Sequence, residues 1–330
     1  MDNHLRHMAL FLILVALLLV PKAGIGGLPS DHTDSGVEVF PLRTGTVYRF
    51  KGLAVAPDGQ RLFLGSWDKK QIVSVTLSPS SVTEVDSPYR NRLNGMGVYL
   101  RGDTLYAVMN EVDDAPNARP VSALVLFDTR TERIARSYEV RGDRTGRHHF
   151  NHVVVDVNGR AFISNTLKGS IWTVDTRDPR ASLELLIEHP KLRLIHGITL
   201  AAADRLLYVT SYEAGFGVID LDTLTYASLQ QPDSRGNDGL RYHRGFLYAV
   251  GQNTLTRHRL SSDGRRVLSS TVLLKDHPYF NDPRCLEIVG DSLFILANIE
   301  HAPVSFRDGG TRRNDTLTDT YVLRYPLPAA

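Results

Sequence analysis

Asn151-His-Val-Val-Val-Asp-Val-Asn-Gly-Arg-Ala-Phe-Ile-Ser-Asn165 reads as two short apolar strands joined at the turn Asn158-Gly159. An Asn-Gly pair accepts the positive φ that a tight hairpin demands, and β-branched Val and Ile fit a buried, pleated ladder. The pattern returns at Lys51-Gly-Leu-Ala-Val55, Asn94-Gly-Met-Gly-Val98, His196-Gly-Ile-Thr-Leu200, Asp238-Gly-Leu-Arg-Tyr242 and Arg284-Cys-Leu-Glu-Ile288. Each has its own turn, at Asp58-Gly59, Gly102-Asp103, Ala203-Asp204, Arg244-Gly245 and Gly290-Asp291. Successive starts lie 43, 57, 45, 42 and 46 residues apart. Further strands follow at Ser170-Ile-Trp-Thr-Val-Asp175, Gly217-Val-Ile-Asp220 and Thr320-Tyr-Val-Leu-Arg-Tyr325. A repeat of this length, with about four strands in each, marks a propeller blade. The reading is an all-β chain whose residues 37–330 form one six-bladed β-propeller of four-stranded blades. The extra segment Val37-Glu-Val-Phe40 is expected to pair with the last blade, closing the ring and removing two exposed edges.

Composition agrees with a folded, nearly neutral protein. Lys and Arg number 38 against 36 Asp and Glu, a net charge of +2, which argues against a nucleic-acid partner. Apolar residues make up 42% and charged residues 22% of the 330, ordinary globular values. A single cysteine, Cys285, excludes a disulfide framework and a cysteine-rich zinc site. Near the start, Arg6 precedes the apolar run Ala9 to Val20, then Pro21 and Ala23-Gly-Ile-Gly-Gly27. Twelve apolar residues fall short of the about 20 that span a bilayer. Residues 1–26 therefore read as a secretory signal peptide and 27–36 as a linker. The expected product is secreted or extracytoplasmic, with no stable membrane insertion after cleavage. The alternative is an uncleaved anchor.

Blade geometry says where chemistry can sit. The innermost strands begin at one mouth of the central channel, so Lys51, Asn94, Asn151, His196, Asp238 and Arg284 are expected to form a polar ring there. The second strands end on the same face and add Trp67, Asn110, Asn165, Tyr212, Asn253 and Asn298. Two cations, one anion, a histidine and two amides at one mouth suit a small-molecule site, although polar capping of a wet channel is the plainer alternative. His148-His149 leads straight into Asn151, so His149 is a candidate base or ligand contact, with exposed loop histidines as the other reading. Glu111-Val-Asp-Asp114 is an acidic loop that either folds over the mouth or is simply solvated. Ile299 to Thr320 reads as an exposed insertion beside the mouth, carrying the sequon Asn314-Asp-Thr316.

The pattern of Asn151 before an apolar strand and an Asn-Gly turn, followed later by Asp238-Gly-Leu, resembles a known group. It is similar to the senescence-marker/gluconolactonase/luciferin-regenerating-enzyme-like propellers, whose architecture paraoxonases, diisopropylfluorophosphatase and strictosidine-synthase-like proteins share. Phe50 to Trp67 and Asn151 to Asp175 carry most of the likeness. The resemblance implies a hydrolase of lactones or related esters, with a calcium or other divalent cation in the channel. It implies Asn151 and Asp238 as metal ligands and Asp238 as the catalytic base or nucleophile. Two positions depart from it: Lys51 stands where a glutamate would start the first blade, and His196 where an amide would start the fourth. With Arg284 they make the mouth cationic, and Asn94 adds a further oxygen. The competing expectation is a non-catalytic propeller that binds a small anionic ligand or a protein with Lys51, Asn94, His196, His149 and Arg284, over a degenerate metal site.

Overall fold

Hairpin follows hairpin because the chain places positive-φ residues where the sequence puts its turns. Gly59, Gly102, Gly159, Asp204, Arg244, Gly245 and Gly290 all adopt positive φ. Three turns are two-residue connections, with Arg101 paired to Thr104, His243 to Phe246 and Val289 to Ser292. The computed structural model describes residues 36–42, 48–78, 80–85, 87, 89–111, 119–142, 147–201, 203–229, 235–251, 253–280, 283–297 and 320–328. The expected signal peptide and most of the linker, Asp113 and Asp114, Asn298 and nearly all of the expected insertion with Asn314 lie outside them.

Six four-stranded antiparallel sheets form the blades. Their inner strands are Phe50–Val55, Asn94–Arg101, Phe150–Val155, Ile195–Leu200, Asn237–His243 and Cys285–Val289. Each inner strand packs on the next, and that of blade six returns to that of blade one. Glu38–Leu42 is the outer strand of blade six, paired with Thr320–Pro326 in the register Val39 to Leu323. Strand closure is thus as the sequence predicts. Arg324 fastens it by donating to both carboxylate oxygens of Glu38, at 2.6 and 2.5 Å.

The core lies between blades. Phe50, Leu53, Leu62, Phe294 and Val322 fill the gap between blades one and six, and five more clusters fill the other gaps. Phe150–Val155 is buried along its whole length. The outer strand Arg133–Arg141 instead alternates exposed residues with half-buried or buried ones such as Ile134 and Tyr138. That contrast is physical: an inner strand is covered on both faces, an outer one partly by water. Each fully buried Leu or Phe contributes about 1.5–3 kcal/mol. Nearer the axis, Arg241 donates from Nε and Nη2 to the two oxygens of Glu287, both at 3.0 Å, and so links blades five and six.

One buried histidine gives the fold a pH dependence. His258 faces Thr256 Oγ1 at 2.9 Å and Ser270 Oγ at 2.7 Å, with its ring edge-on to Phe216. Burial pushes its pKa from 6.5 down to about 4. The unfolded chain therefore takes up this proton first. Stability from His258 is complete above pH 6.5 and is lost as pH falls toward 4, by about 3 kcal/mol in all. Urea denaturation at pH 7 and pH 4 should show a smaller loss for His258→Gln than for wild type. Equal losses would remove His258 from the account.

Candidate active site at the channel mouth

A break in strand pairing builds the ring. In five blades the inner strand slips against its neighbour, between Phe50 and Gly52, Gly95 and Val98, Phe150 and Val153, Ile195 and Ile198, and Asn237 and Gly239. A bulge of this kind leaves its extra residue out of the ladder and re-aims the side chain. Lys51, Asn151, His196 and Asp238 occupy these breaks, and Arg284 directly precedes the inner strand of blade six. In blade two the break holds Met96 and Gly97. Asn94 pairs regularly with Asn110, two residues upstream of the ring position. The alignment of Asn94 with Lys51 is therefore corrected to Met96. Asn94-Gly-Met-Gly-Val98 contains two glycines, and packing selects the second, since a Cβ on Gly97 would overlap the Asn151 carbonyl. Asn94 donates from Nδ2 to the Trp67 carbonyl, while its Oδ1 is buried without a hydrogen-bond partner.

Asp238 is the hub of the ring. Its Oδ2 accepts from the Tyr212 hydroxyl at 3.0 Å and from Arg284 Nη1 at 3.2 Å. The same Nη1 lies 3.1 Å from the Tyr212 hydroxyl. Its Oδ1 faces His196 Nδ1 at 3.3 Å and His152 Nε2 at 3.6 Å. Burial alone would raise the Asp238 pKa, but His196, His152 and Arg284 outweigh it and hold the carboxyl well below the usual range. A carboxylate so stabilised is a poor base and a good anchor. Residues from blades three to six thus converge on one charge.

The histidines are held from behind. Thr166 Oγ1 donates to the Ile195 carbonyl at 2.7 Å and accepts from Asn151 Nδ2 at 3.0 Å. Asn151 Nδ2 also lies 3.2 Å from His196 Nδ1, and the His196 ring packs on Tyr212 with centroids 4.1 Å apart. His196 Nε2 is buried with no hydrogen-bond partner. Ser164 Oγ accepts from the His152 backbone N–H at 3.0 Å and donates to the His196 carbonyl at 2.8 Å. Burial lowers the His152 pKa despite the pull of Asp238. His149 is lowered to about 4, chiefly by burial and then by the charges of His196, Arg147 and Lys51. It is thus a neutral neighbour of the same positive field.

Other expected contributors serve the backbone. Asn110 brackets Phe150 of the next blade, donating to its carbonyl at 2.7 Å and accepting its N–H at 2.8 Å. Asn165 accepts the His149 N–H at 3.0 Å. His148 turns into packing, with Nδ1 2.9 Å from Asn165 Nδ2 and its ring edge-on to Trp172. Glu111 accepts the Val121 N–H at 3.0 Å. Burial raises the Cys285 thiol to about 12, and its Sγ donates to the Lys51 carbonyl at 3.1 Å. His152 escaped the sequence reading, because only the first residue of each repeat was placed at the ring. The available signal was the next column, which holds glycine in four blades.

These residues do not fit a calcium ring. Both Asp238 oxygens already face donors, one of them a guanidinium. Lys51 holds the first-blade position. At about 4 Å and an effective dielectric near 20, two unit charges repel by about 4 kcal/mol, and a divalent ion meets twice that. Among the described residues no three His, Cys, Asp or Glu side chains group as metal ligands.

Solved structures supply the wider context. A structure of luciferin-regenerating enzyme superposes with a TM-score of 0.60 at 11% identity, covering 89% of this chain and 98% of that one. A putative gluconolactonase gives 0.57 at 13%, covering 89% and 95%, and a glucose dehydrogenase 0.57 at 14%, covering 89% and 100%. The fold is that of the gluconolactonase-like six-bladed propellers. No protein-family model matches the chain, and no curated protein matches its sequence. At such identities the likeness extends to the fold and stops there.

Two variants separate the hub from its surroundings. Asp238→Ala strands a largely buried Arg284 guanidinium and should cost about 3–5 kcal/mol. His152→Gly installs the residue that four other blades carry in that column, and should cost about 1–2 kcal/mol. Urea denaturation decides, and equal costs would mean that Asp238 is not the hub.

Proposed function

We propose that the channel mouth hydrolyses lactones or related esters of small molecules, with His196 as general base. The observation that carries this reading is the His196 ring, with Nδ1 against a buried carboxylate and Nε2 buried and unpartnered. With the Asn151 amide hydrogen-bonded to Thr166 Oγ1, Nδ1–H donates to Asp238 Oδ1, which leaves the lone pair on Nε2. Once substrate entry admits a water to this buried nitrogen, Nε2 removes its proton as the water oxygen attacks the substrate carbonyl carbon. Negative charge develops on the carbonyl oxygen, and Lys51 and Arg284 offset it. The intermediate then expels the alkoxide, which recovers the proton from His196, and a hydroxy acid leaves. Asp238 orients the imidazole and steadies its charged form, a role that its depressed pKa supports better than direct proton abstraction.

The apolar run Ala9 to Val20 supports action outside the cytoplasm. The cationic character of Lys51 and Arg284 favours a second reading, a non-catalytic site for a small anionic ligand. A panel of lactones and aryl esters distinguishes the two. Wild type should turn over at least one of them, and His196→Ala should lower kcat/KM by about a hundred- to ten-thousand-fold. Hydrolysis that survives His196→Ala undiminished would remove the base from the mechanism, and no turnover across the panel would favour the binding reading.

A further inference from the structure

We infer that the guanidinium of Arg284 takes the place of the divalent cation that the family resemblance implies, so that the channel works with a protein-borne charge. Arg284 Nη1 approaches the Asp238 carboxylate at 3.2 Å and the Tyr212 hydroxyl at 3.1 Å, and that hydroxyl donates to the same carboxylate oxygen at 3.0 Å. These three groups form a closed triangle on Oδ2. A cation coordinating that oxygen would have to displace both Arg284 and Tyr212. The other oxygen faces His196 and His152, whose nitrogens lie 3.3 and 3.6 Å away. Asp238 is only 5% exposed, so its charge must be balanced inside the protein.

The placement of Arg284 is not incidental. It precedes the inner strand of blade six, adjacent in the ring to both Asp238 of blade five and Lys51 of blade one. The side chain carrying it is itself 15% exposed, so the charge is held at the mouth and shielded from bulk water. A guanidinium cannot be deprotonated at physiological pH and presents fixed N–H directions. It is therefore suited to the electrostatic part of what a Lewis acid does, stabilising negative charge on a carbonyl oxygen. It offers no bound hydroxide, which agrees with a histidine serving as base. The inference rests on the reading of Asp238 as the centre of a ligand site, and it concerns how that site is charged.

Calorimetric titration of the full chain with calcium chloride, after treatment with a chelator, reads this without reference to turnover. Wild type should bind calcium no more tightly than Asp238→Asn does. Lys51→Glu combined with Arg284→Met removes both cations and returns a carboxylate, and should bind calcium at least about a hundredfold more tightly than wild type. Circular dichroism establishes whether the double variant folds. If it does not, wild type against Asp238→Asn decides alone. Tight calcium binding by wild type that disappears in Asp238→Asn would overturn the inference, as would a folded double variant with no gain. Lack of hydrolysis across a substrate panel would sink the hydrolase reading while leaving the calcium result as the measure of this one.

Discussion

The close approach of six inner strands around one axis is the constraint from which the rest of the molecule follows. At the position after each ring residue the chain meets the next blade's ring-residue carbonyl. Gly52 faces Met96, Gly97 faces Asn151, Gly197 faces Asp238 and Gly239 faces Arg284, and a Cβ on any of them would overlap that carbonyl. Blade six solves the same problem differently, with the Cys285 thiol donating to the Lys51 carbonyl across the closure of the ring. Blade three is the exception. There His152 occupies the column, and Ser164 links its N–H to the His196 carbonyl. Crowding on this scale fixes the spacing of the blades, and the strand bulges turn the preceding side chains out of the ladder at the mouth.

Once the ring is so narrow, its charges are decided together. A single buried carboxylate, Asp238, draws a guanidinium, a phenol and two imidazoles from neighbouring blades. The same crowding explains why amides that look like ligands in the sequence work on the backbone. Asn110 and Asn165 fasten the entry into blade three and thereby hold Asn151 and His152 in place. Stability and site geometry therefore share the same residues, and a change at the hub is felt in both.

Blades, turns and closure were legible because each rests on local chemistry. Asn158-Gly159 and Gly290-Asp291 require a turn wherever they fall, and Val37 to Phe40 had no other partner. Five of the six ring residues, Lys51, Asn151, His196, Asp238 and Arg284, could be read from the glycine or apolar pattern that follows them. Asn94 could not, since Gly95 and Gly97 both satisfy that pattern and only contact with Asn151 distinguishes them. His152 was hidden because a strand with strict alternation would send it away from Asn151, and the bulge between Phe150 and Val153 breaks that alternation. Tyr212 was visible as a residue at the mouth. Its bond to Asp238 was not, because it depends on how far blade four leans toward blade five.

Crowding at the axis is tested most directly by adding one carbon. Gly197→Ala places a methyl against the Asp238 carbonyl, whereas Gly290→Ala adds one at a turn with open space around it and positive φ. Urea denaturation of the two variants should show Gly290→Ala losing about 1 kcal/mol, the cost of its backbone conformation. Gly197→Ala should lose more than about 3 kcal/mol or fail to fold. Equal, small losses would contradict the account, since the inner strands would then have room that this geometry denies them.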